Sequence, residues 1–265
     1  MWSRFYIDPL MKTDSVNREV QAVDSEFQIA QTRDANRISG IMTHLAENAN
    51  TDNSKNHPAG KFTWGNILSL KGTKDIETDV PKLHENLTNL HAKYYAAKAM
   101  SLAVQSPHDL DELQKFVVKR FGAIPNPETF VEPDSTIEEF KNDTDIWKAV
   151  YNDMIEVRPI GDKIKLQIQW QLKGLIHEWE SDPLHYISWL TGHEGKGSIF
   201  DHLQSEGLAT EVSSGTGGYG DDSNRLYTLF KTEITLTDKG YSELERVQSG
   251  MKISKSCVLD SWLEF

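Results

Sequence analysis

The sequence predicts an α+β fold, with a domain boundary between its two halves. Three observations support it: apolar residues recur at helical spacing in the first half, strict alternation marks two strands in the second half, and residues 208–236 have the pattern of a β-hairpin. A hairpin pairs its strands antiparallel, and antiparallel strands combined with helices are typical of the α+β class.

The first half is predicted to be mainly helical. Residues 14–47 contain no proline, and apolar residues recur there at steps of 4, 3, 4 and 3, at Val16, Val20, Val23, Phe27 and Ala30. The polar stretch 48–60 is predicted to be a loop, 84–98 a second helix and 100–104 a short strand. A third helix is expected to open at 106–109, with a buried face formed by Leu110, Leu113, Phe116 and Val117.

A change of pattern separates the two halves. Residues 122–146 combine many acidic residues with Pro125, Pro127 and Pro133, and proline opposes both helix continuation and sheet pairing. Beyond this linker, residues 164–172 alternate as a strand, and 183–191 and 198–206 are predicted helices separated by glycines. A second strand is expected at 226–236, followed by a helix that begins at Thr237-Asp238.

Composition excludes several classes of protein. The formal net charge is −12, from 40 acidic and 28 basic residues, which argues against a nucleic-acid or anionic-membrane binder. The single cysteine, Cys257, excludes an internal disulfide framework. The sequence has neither a secretory signal core nor an apolar run of membrane-spanning length, so we expect a cytoplasmic protein without membrane contact.

Two glutamates stand out on the first predicted helix. Glu19 and Glu26 are seven residues apart, which places them about 20° from one another around the helix and two turns along it. Both lie at the border of the valine stripe. Carboxylates in such a place can bind a metal or orient a ligand histidine. They can equally be solvated glutamates that flank a core face, and spacing alone leaves both interpretations open.

The residues around these glutamates resemble a known family. The segment 18–26, REVQAVDSE, is very similar to a run of the insulinase family of zinc metallopeptidases. Four further segments match the same family in the same order, and they are WSRFYIDPL at 2–10, HPAGKFTWGN at 57–66, KYY at 93–95 with MSL at 100–102, and TGHEGKGS at 191–198. The resemblance covers almost the whole chain and ends near Val247.

The resemblance implies a division of the chain and a zinc chemistry. It makes residues 1–125 the C-terminal part of a first, catalytic peptidase unit, 126–154 an acidic linker, 155–250 the N-terminal part of a second peptidase-like unit, and 251–265 a divergent tail. It also makes Glu26 the third zinc ligand and Glu19 a supporting acid, while an H-x-x-E-H motif supplies the other zinc ligands and the general base.

That histidine motif is missing from this sequence. None of the nine histidines stands in H-x-x-E-H or H-E-x-x-H, and in the family the motif lies well upstream of the ligand glutamate. A catalytic zinc site normally needs three protein ligands. We therefore expect this chain alone to bind zinc weakly or not at all and to be catalytically incompetent.

Two glycine-rich segments remain. Residues 215–220 fit G-x-G-x-x-G, but acidic residues and a strand follow, so a hairpin loop is the better interpretation than a dinucleotide site. Residues 192–198 are either a break between two helices or an anion site. The family resemblance adds a peptide-binding exosite, whose matching positions here are His193, Gly195, Gly197, Gly215 and Gly217.

Three functional hypotheses follow from the sequence. The chain is a metallopeptidase homologue that has lost catalysis, or a truncated gene model of an active zinc endopeptidase, or a non-catalytic module that binds peptides through residues 193–217. Its expected partners are peptides and a homologous full-length peptidase.

Overall fold

The computed structural model describes residues 2–49, 57–72, 80–128, 130, 140, 146–150, 153–217 and 222–258. The chain divides into two compact units, one formed by residues 1–32 and 62–138 and the other by residues 33–61 and 139–265. Helices combine with an antiparallel sheet, so the predicted α+β class is confirmed. Among the described residues, no helix is both long enough and apolar enough to cross a membrane.

The first unit is helical in its described part. Its helices are α1 (Arg4–Ile7), α2 (Thr13–Ala30), α4 (Ile67–Lys71), α5 (Val80–Tyr94) and α6 (Leu110–Phe121). The valine stripe of α2 is its more buried face, as the spacing predicted, and α2 packs against α4 and α5. The predicted helix at 84–98 begins and ends four residues earlier, and residues 100–104 are unpaired in the described part of the chain.

The second unit contains α3 (Asp34–Ala49), α7 (Pro183–Thr191), α8 (Ile199–Ser205), α9 (Asp238–Ser242) and α10 (Leu244–Val258). Its strands are β1 (Lys165–Lys173), β2 (Ala209–Thr216) and β3 (Tyr227–Leu236), in the order β1-β3-β2 with both pairings antiparallel. The alternating patterns thus predicted β1 and β3, and the hairpin pattern at 208–236 predicted the antiparallel pair of β2 and β3.

The core of the second unit lies on one face of this sheet. Ile234 in β3 faces Leu166 in β1 and Val212 in β2, and all three pack with residues of α8 and α10 such as Leu203 and Val247. A strand in the middle of a sheet buries its alternate residues against helices, and this explains why β3 is the most buried strand.

An aromatic cluster covers part of the opposite face. The rings of Trp147 and Tyr227 meet edge to face at 5.3 Å, and His57 lies 6.4 Å from the Tyr227 ring. The indole N–H of Trp147 donates to the carbonyl of Met42 in α3 at 2.8 Å. These contacts join α3 and the segment around His57 to the sheet.

Three sequence predictions need correction. The predicted helix over 14–47 is two helices, α2 and α3, separated by residues 31–33. The predicted buried face of α6 is not buried, since Leu110 is 82% and Phe116 is 56% exposed. The predicted strand at 100–104 pairs with no described strand. Most of the predicted linker and residues 218–221 of the glycine-rich loop lie outside the described residues.

Candidate functional site

An open groove of about 490 Å³ lies between the C-terminal end of α7 and the strand β2. Within the described sheet β2 pairs only with β3, so its other edge has no strand neighbour there. The residues that line the groove all belong to the second unit, and they are Ser188, Trp189, Gly192, His193, Glu194, Val212, Ser213 and Ser214.

Glycine allows α7 to end close to β2. The helix begins with Pro183 at its first position and ends at Gly192, whose N–H donates to the carbonyl of Ser188 at 2.9 Å. A Cβ on Gly192 would lie 3.0 Å from that carbonyl oxygen and 3.4 Å from the backbone nitrogen of Ser214. A side chain at 192 would therefore crowd the last turn of α7 and fill the space between that turn and β2.

A chain of hydrogen bonds holds the turn between α7 and α8. The Nδ1 atom of His193 accepts from the N–H of Gly195 at 3.0 Å, and the carbonyl of Gly195 accepts from the N–H of Ser198 at 3.0 Å. Ser198 caps α8 by accepting from the N–H of Asp201 at 3.1 Å, while Asp201 Oδ2 accepts from the N–H of Gly197 at 2.8 Å. The position of the His193 ring is thereby linked to the start of α8.

The His193 ring lies between Trp189 and the backbone of Gly195. Its centroid is 5.0 Å from that of Trp189, with the rings tilted by 59°. A Cβ on Gly195 would come within 2.3 Å of His193 Cε1, so only glycine leaves room for the ring in this place. Trp189 is nevertheless 59% exposed, which leaves aromatic surface open to the groove.

The lining of the groove includes one carboxylate. Glu194 is exposed, and no lysine or arginine is among the lining residues. The last turn of α7 also carries no basic residue, so nothing on the helix offsets the partial negative charge of its C-terminus. Nearby Glu211 is paired instead: the hydrogen bond from the Lys163 ammonium holds the pKa of Glu211 below its usual value. The groove can therefore receive a cationic group.

The structure brings together part of the predicted peptide-binding set. His193 lines the groove, while Gly195 and Gly197 shape the turn, with Gly197 at a φ of +85° that favours glycine. Gly215 lies in β2, where a Cβ would be 3.4 Å from Ser188 Oγ, and Gly217 lies against Asp222. Their peptide-binding role stays a prediction.

Sequence analysis missed several residues that line the groove, above all Trp189 and Glu194. The signal was available for Trp189, because it stands four residues before His193 in the last turn of a predicted helix, and residues at that spacing share a face. The strand residues Val212 to Ser214 could be assigned only once the position of α7 against β2 was known.

The two predicted metal-site glutamates lie on α2 in the first unit, and both are exposed. On the opposite flank of that helix, Asp24 Oδ1 accepts from the N–H of Ile67 at 2.9 Å and so binds the start of α4. Asp24 and Glu26 are about 160° apart around the helix. The Asp24 carboxylate thus binds α4 by a hydrogen bond, whereas Glu19 and Glu26 point away from α4.

These residues alone do not fit a catalytic zinc ion. Among the residues that the structure describes, no group of three or more histidine, cysteine, aspartate and glutamate side chains comes together. A catalytic zinc needs three protein ligands, and Glu26 would supply one. No catalytic step through zinc follows from these residues.

Comparison with known proteins shows what the chain as a whole is similar to. Residues 82–251 match the family model described as the peptidase M16 inactive domain. The chain is 39% identical to nardilysin of Rattus norvegicus over 250 residues, which are 93% of this chain and 20% of that protein. It is 31% identical to the A-factor-processing enzyme of Saccharomyces cerevisiae, over 93% of this chain and 22% of the relative.

A peroxisomal insulin-degrading enzyme-like protein of Arabidopsis thaliana is 30% identical, over 93% of this chain and 23% of that protein. The crystal structure of pitrilysin has a TM-score of 0.68 and 22% identity, and covers 94% of this chain and 24% of the pitrilysin chain. The chain therefore shares a fold with pitrilysin and spans about a fifth of the length of the curated relatives it matches.

Proposed function

The chain belongs to the M16 peptidase family, and on that basis we propose that it serves peptide degradation by binding extended peptides along β2 without cleaving them itself. Family membership confirms the insulinase-type resemblance that the sequence carried. The observation that supports the binding role is the groove at the unpaired edge of β2, because an extended peptide can add to a sheet edge through main-chain hydrogen bonds.

The groove gives such a peptide two side-chain contacts. Trp189 offers an exposed aromatic surface, and buried tryptophans are among the residues that dominate binding energy in interfaces. Glu194, together with the C-terminus of α7, offers negative charge to a cationic group such as the amino terminus of the peptide. Main-chain pairing would supply affinity, and these two groups would fix the position of the peptide.

The test is a titration with a fluorescently labelled extended peptide in the presence of a metal chelator, with hydrogen exchange measured on the same complex. We expect binding that survives chelation, protection of residues 193–217, and about a ten-fold loss of affinity in Trp189→Ala. Trp179→Ala is the matched control, since Trp179 is 71% exposed and does not line the groove. Equal losses in both variants, or no protection of residues 193–217, would contradict the proposal.

The charge contribution has its own pair of variants. Glu194→Gln removes the carboxylate of the groove, and Glu180→Gln removes an exposed carboxylate in the loop before α7. We expect weaker binding and a smaller dependence on salt only in Glu194→Gln, because exposed charge pairs are screened by salt. A uniform salt dependence across both variants would argue against a cationic group at Glu194.

The α2 carboxylates support a second, metal-dependent function. We propose Glu26 as a zinc ligand and Glu19 as the acid that supports it, both completed only where a histidine motif is present. This chain alone should then hold zinc weakly or not at all, and metal analysis after equilibrium dialysis should find far less than one zinc per chain. One tightly bound zinc per chain that is lost in Glu26→Gln would overturn this expectation.

Two further experiments separate the hypotheses about the whole polypeptide. Sequencing the transcript upstream of Met1 would establish an active zinc endopeptidase if an in-frame H-x-x-E-H is found. Co-purification with a homologous full-length peptidase would support action as a partner of that enzyme. A cytoplasmic location stays a prediction, and fractionation of cells against peroxisomal markers tests it, since one relative is named as peroxisomal.

A further inference from the structure

The imidazole of His193 stands at a point where its protonation state affects the shape of the groove. Its Nδ1 atom accepts the Gly195 N–H at 3.0 Å, so in this geometry Nδ1 carries no proton. A protonated imidazole has N–H donors at both nitrogens and no acceptor left. The hydrogen bond that begins the turn between α7 and α8 therefore exists only with neutral His193.

From this geometry we propose that acidification releases peptides from the groove through protonation of His193, an inference that rests on the proposed peptide-binding function. Histidine is the side chain whose charge ordinarily changes between pH 5 and 8. The proposed switch would thus operate within the range that separates neutral from acidic compartments.

Two consequences of protonation act in the same direction. The first is structural: Gly195 loses its acceptor, and Gly195 also accepts the N–H of Ser198 at the cap of α8, so the turn that walls the groove is loosened. The second is electrostatic: a positive charge appears on a residue that lines the groove, where the amino group of the peptide would lie near Glu194. Like charges so close together oppose binding.

Other charged and titratable groups lie on the elements around His193 and need separate control. Glu194, Lys196 and Asp201 belong to the same turn and to α8, and α7 and α8 also carry His185 and His202. Over pH 8 to 5.5 the imidazoles ordinarily change charge, and so does an α-amino group. The probe peptide therefore has an acetylated amino terminus and a lysine as its cationic group, so substitution of His193 alone separates its effect from the others.

Asparagine is the replacement that tests the switch. An asparagine side-chain oxygen commonly accepts the N–H two residues on, which is the hydrogen bond that His193 makes to Gly195, and asparagine does not titrate. His193→Asn therefore retains the acceptor at every pH. His193→Phe retains an aromatic ring against Trp189 but supplies no acceptor.

The experiment measures peptide dissociation constants at pH 8 and at pH 5.5 for the unmodified chain, His193→Asn and His193→Phe. For the unmodified chain, the dissociation constant at pH 5.5 should be about five-fold or more above that at pH 8, which is the effect expected for the loss of one hydrogen bond. The ratio should fall to near one in both variants. A ratio that persists in His193→Asn, or a ratio of one in the unmodified chain, would overturn the switch.

A second measurement does not need the peptide. The amide resonance of Gly195 should move with pH in the free chain along the same curve as the His193 ring resonances, and this movement should vanish in His193→Asn. Absence of binding at pH 8 with a coupled Gly195 titration would refute the proposed function while the hydrogen-bond switch stands. Binding that is independent of pH would refute the switch and leave the proposed function standing.

Discussion

Ile234 is the residue at which the core of the second unit can be tested most directly. Its side chain is 0% exposed, in the central strand β3, between Leu166 of β1 and Val212 of β2. Ile234→Ala removes three carbons, at about 0.8 kcal/mol each for transfer from water. A cavity that fails to collapse adds up to about 1.5 kcal/mol. We therefore expect a loss of about 2.5 to 4 kcal/mol in the free energy of unfolding.

Equilibrium unfolding in urea, followed by circular dichroism, measures this loss. Ile160→Ala is the matched control, because Ile160 belongs to the same unit and its side chain is 58% exposed, so its loss should stay below about 1 kcal/mol. The midpoint of Ile234→Ala should fall without a change in the denaturant slope. Equal losses in the two variants would refute the placement of the core on this face of β3.

Two glycines and one aspartate of the second unit give the remaining predictions. Gly240→Ala should lower the free energy of unfolding by more than about 2 kcal/mol, because its Cβ would lie 1.9 Å from the carbonyl oxygen of Leu208. A Cβ at Gly40 in α3 meets nothing within 4 Å, so Gly40→Ala should raise the free energy of unfolding by about 0.5–1 kcal/mol. Thermal unfolding measures both changes. The backbone N–H groups of residues 160–161 donate to Asp34 and hold the pKa of its carboxyl below the usual value. Because the folded pKa is the lower one, this stabilisation is present above the unfolded pKa near 4 and is lost as pH falls through the folded value. Unfolding of Asp34→Asn should therefore depend less on pH below about pH 5, and an unchanged slope would contradict the assignment.

The second half of the fold was more predictable than the first for a physical reason. The alternation at 164–172 and 226–236 predicts two strands, and β1 and β3 are strands at these places. The prediction of a single buried face is not met by β3, which is buried along nearly its whole length. Helical periodicity in the first half says which residues share a face but not whether anything covers that face. Leu110 and Leu113 do share a face of α6, yet no residue of this helix is buried.

The break between α2 and α3 shows a second limit of sequence patterns. Residues 31–33 contain neither proline nor glycine, so no local signal ends the helix there. Asp34, at the start of α3, instead accepts hydrogen bonds from Ile160 and Gly161, and Arg37 donates to the carbonyl of Arg158 at 2.8 Å. Partners more than a hundred residues away decide where α3 begins, and a periodicity analysis contains no information about them.

The two candidate sites differ in how much of their chemistry this chain supplies. For the α2 site the family resemblance points to Glu19 and Glu26, whose roles stay predictions, and a ligand with a supporting acid is less than a metal site requires. For the groove the sequence found His193 and the glycines, while Trp189 and Glu194 emerged from the packing of α7 against β2. Strand addition needs only a free edge and adjacent contacts, and those contacts all come from the second unit. The groove is therefore the site where we propose that this chain acts by itself, and His193 is the residue through which that proposed function would depend on pH.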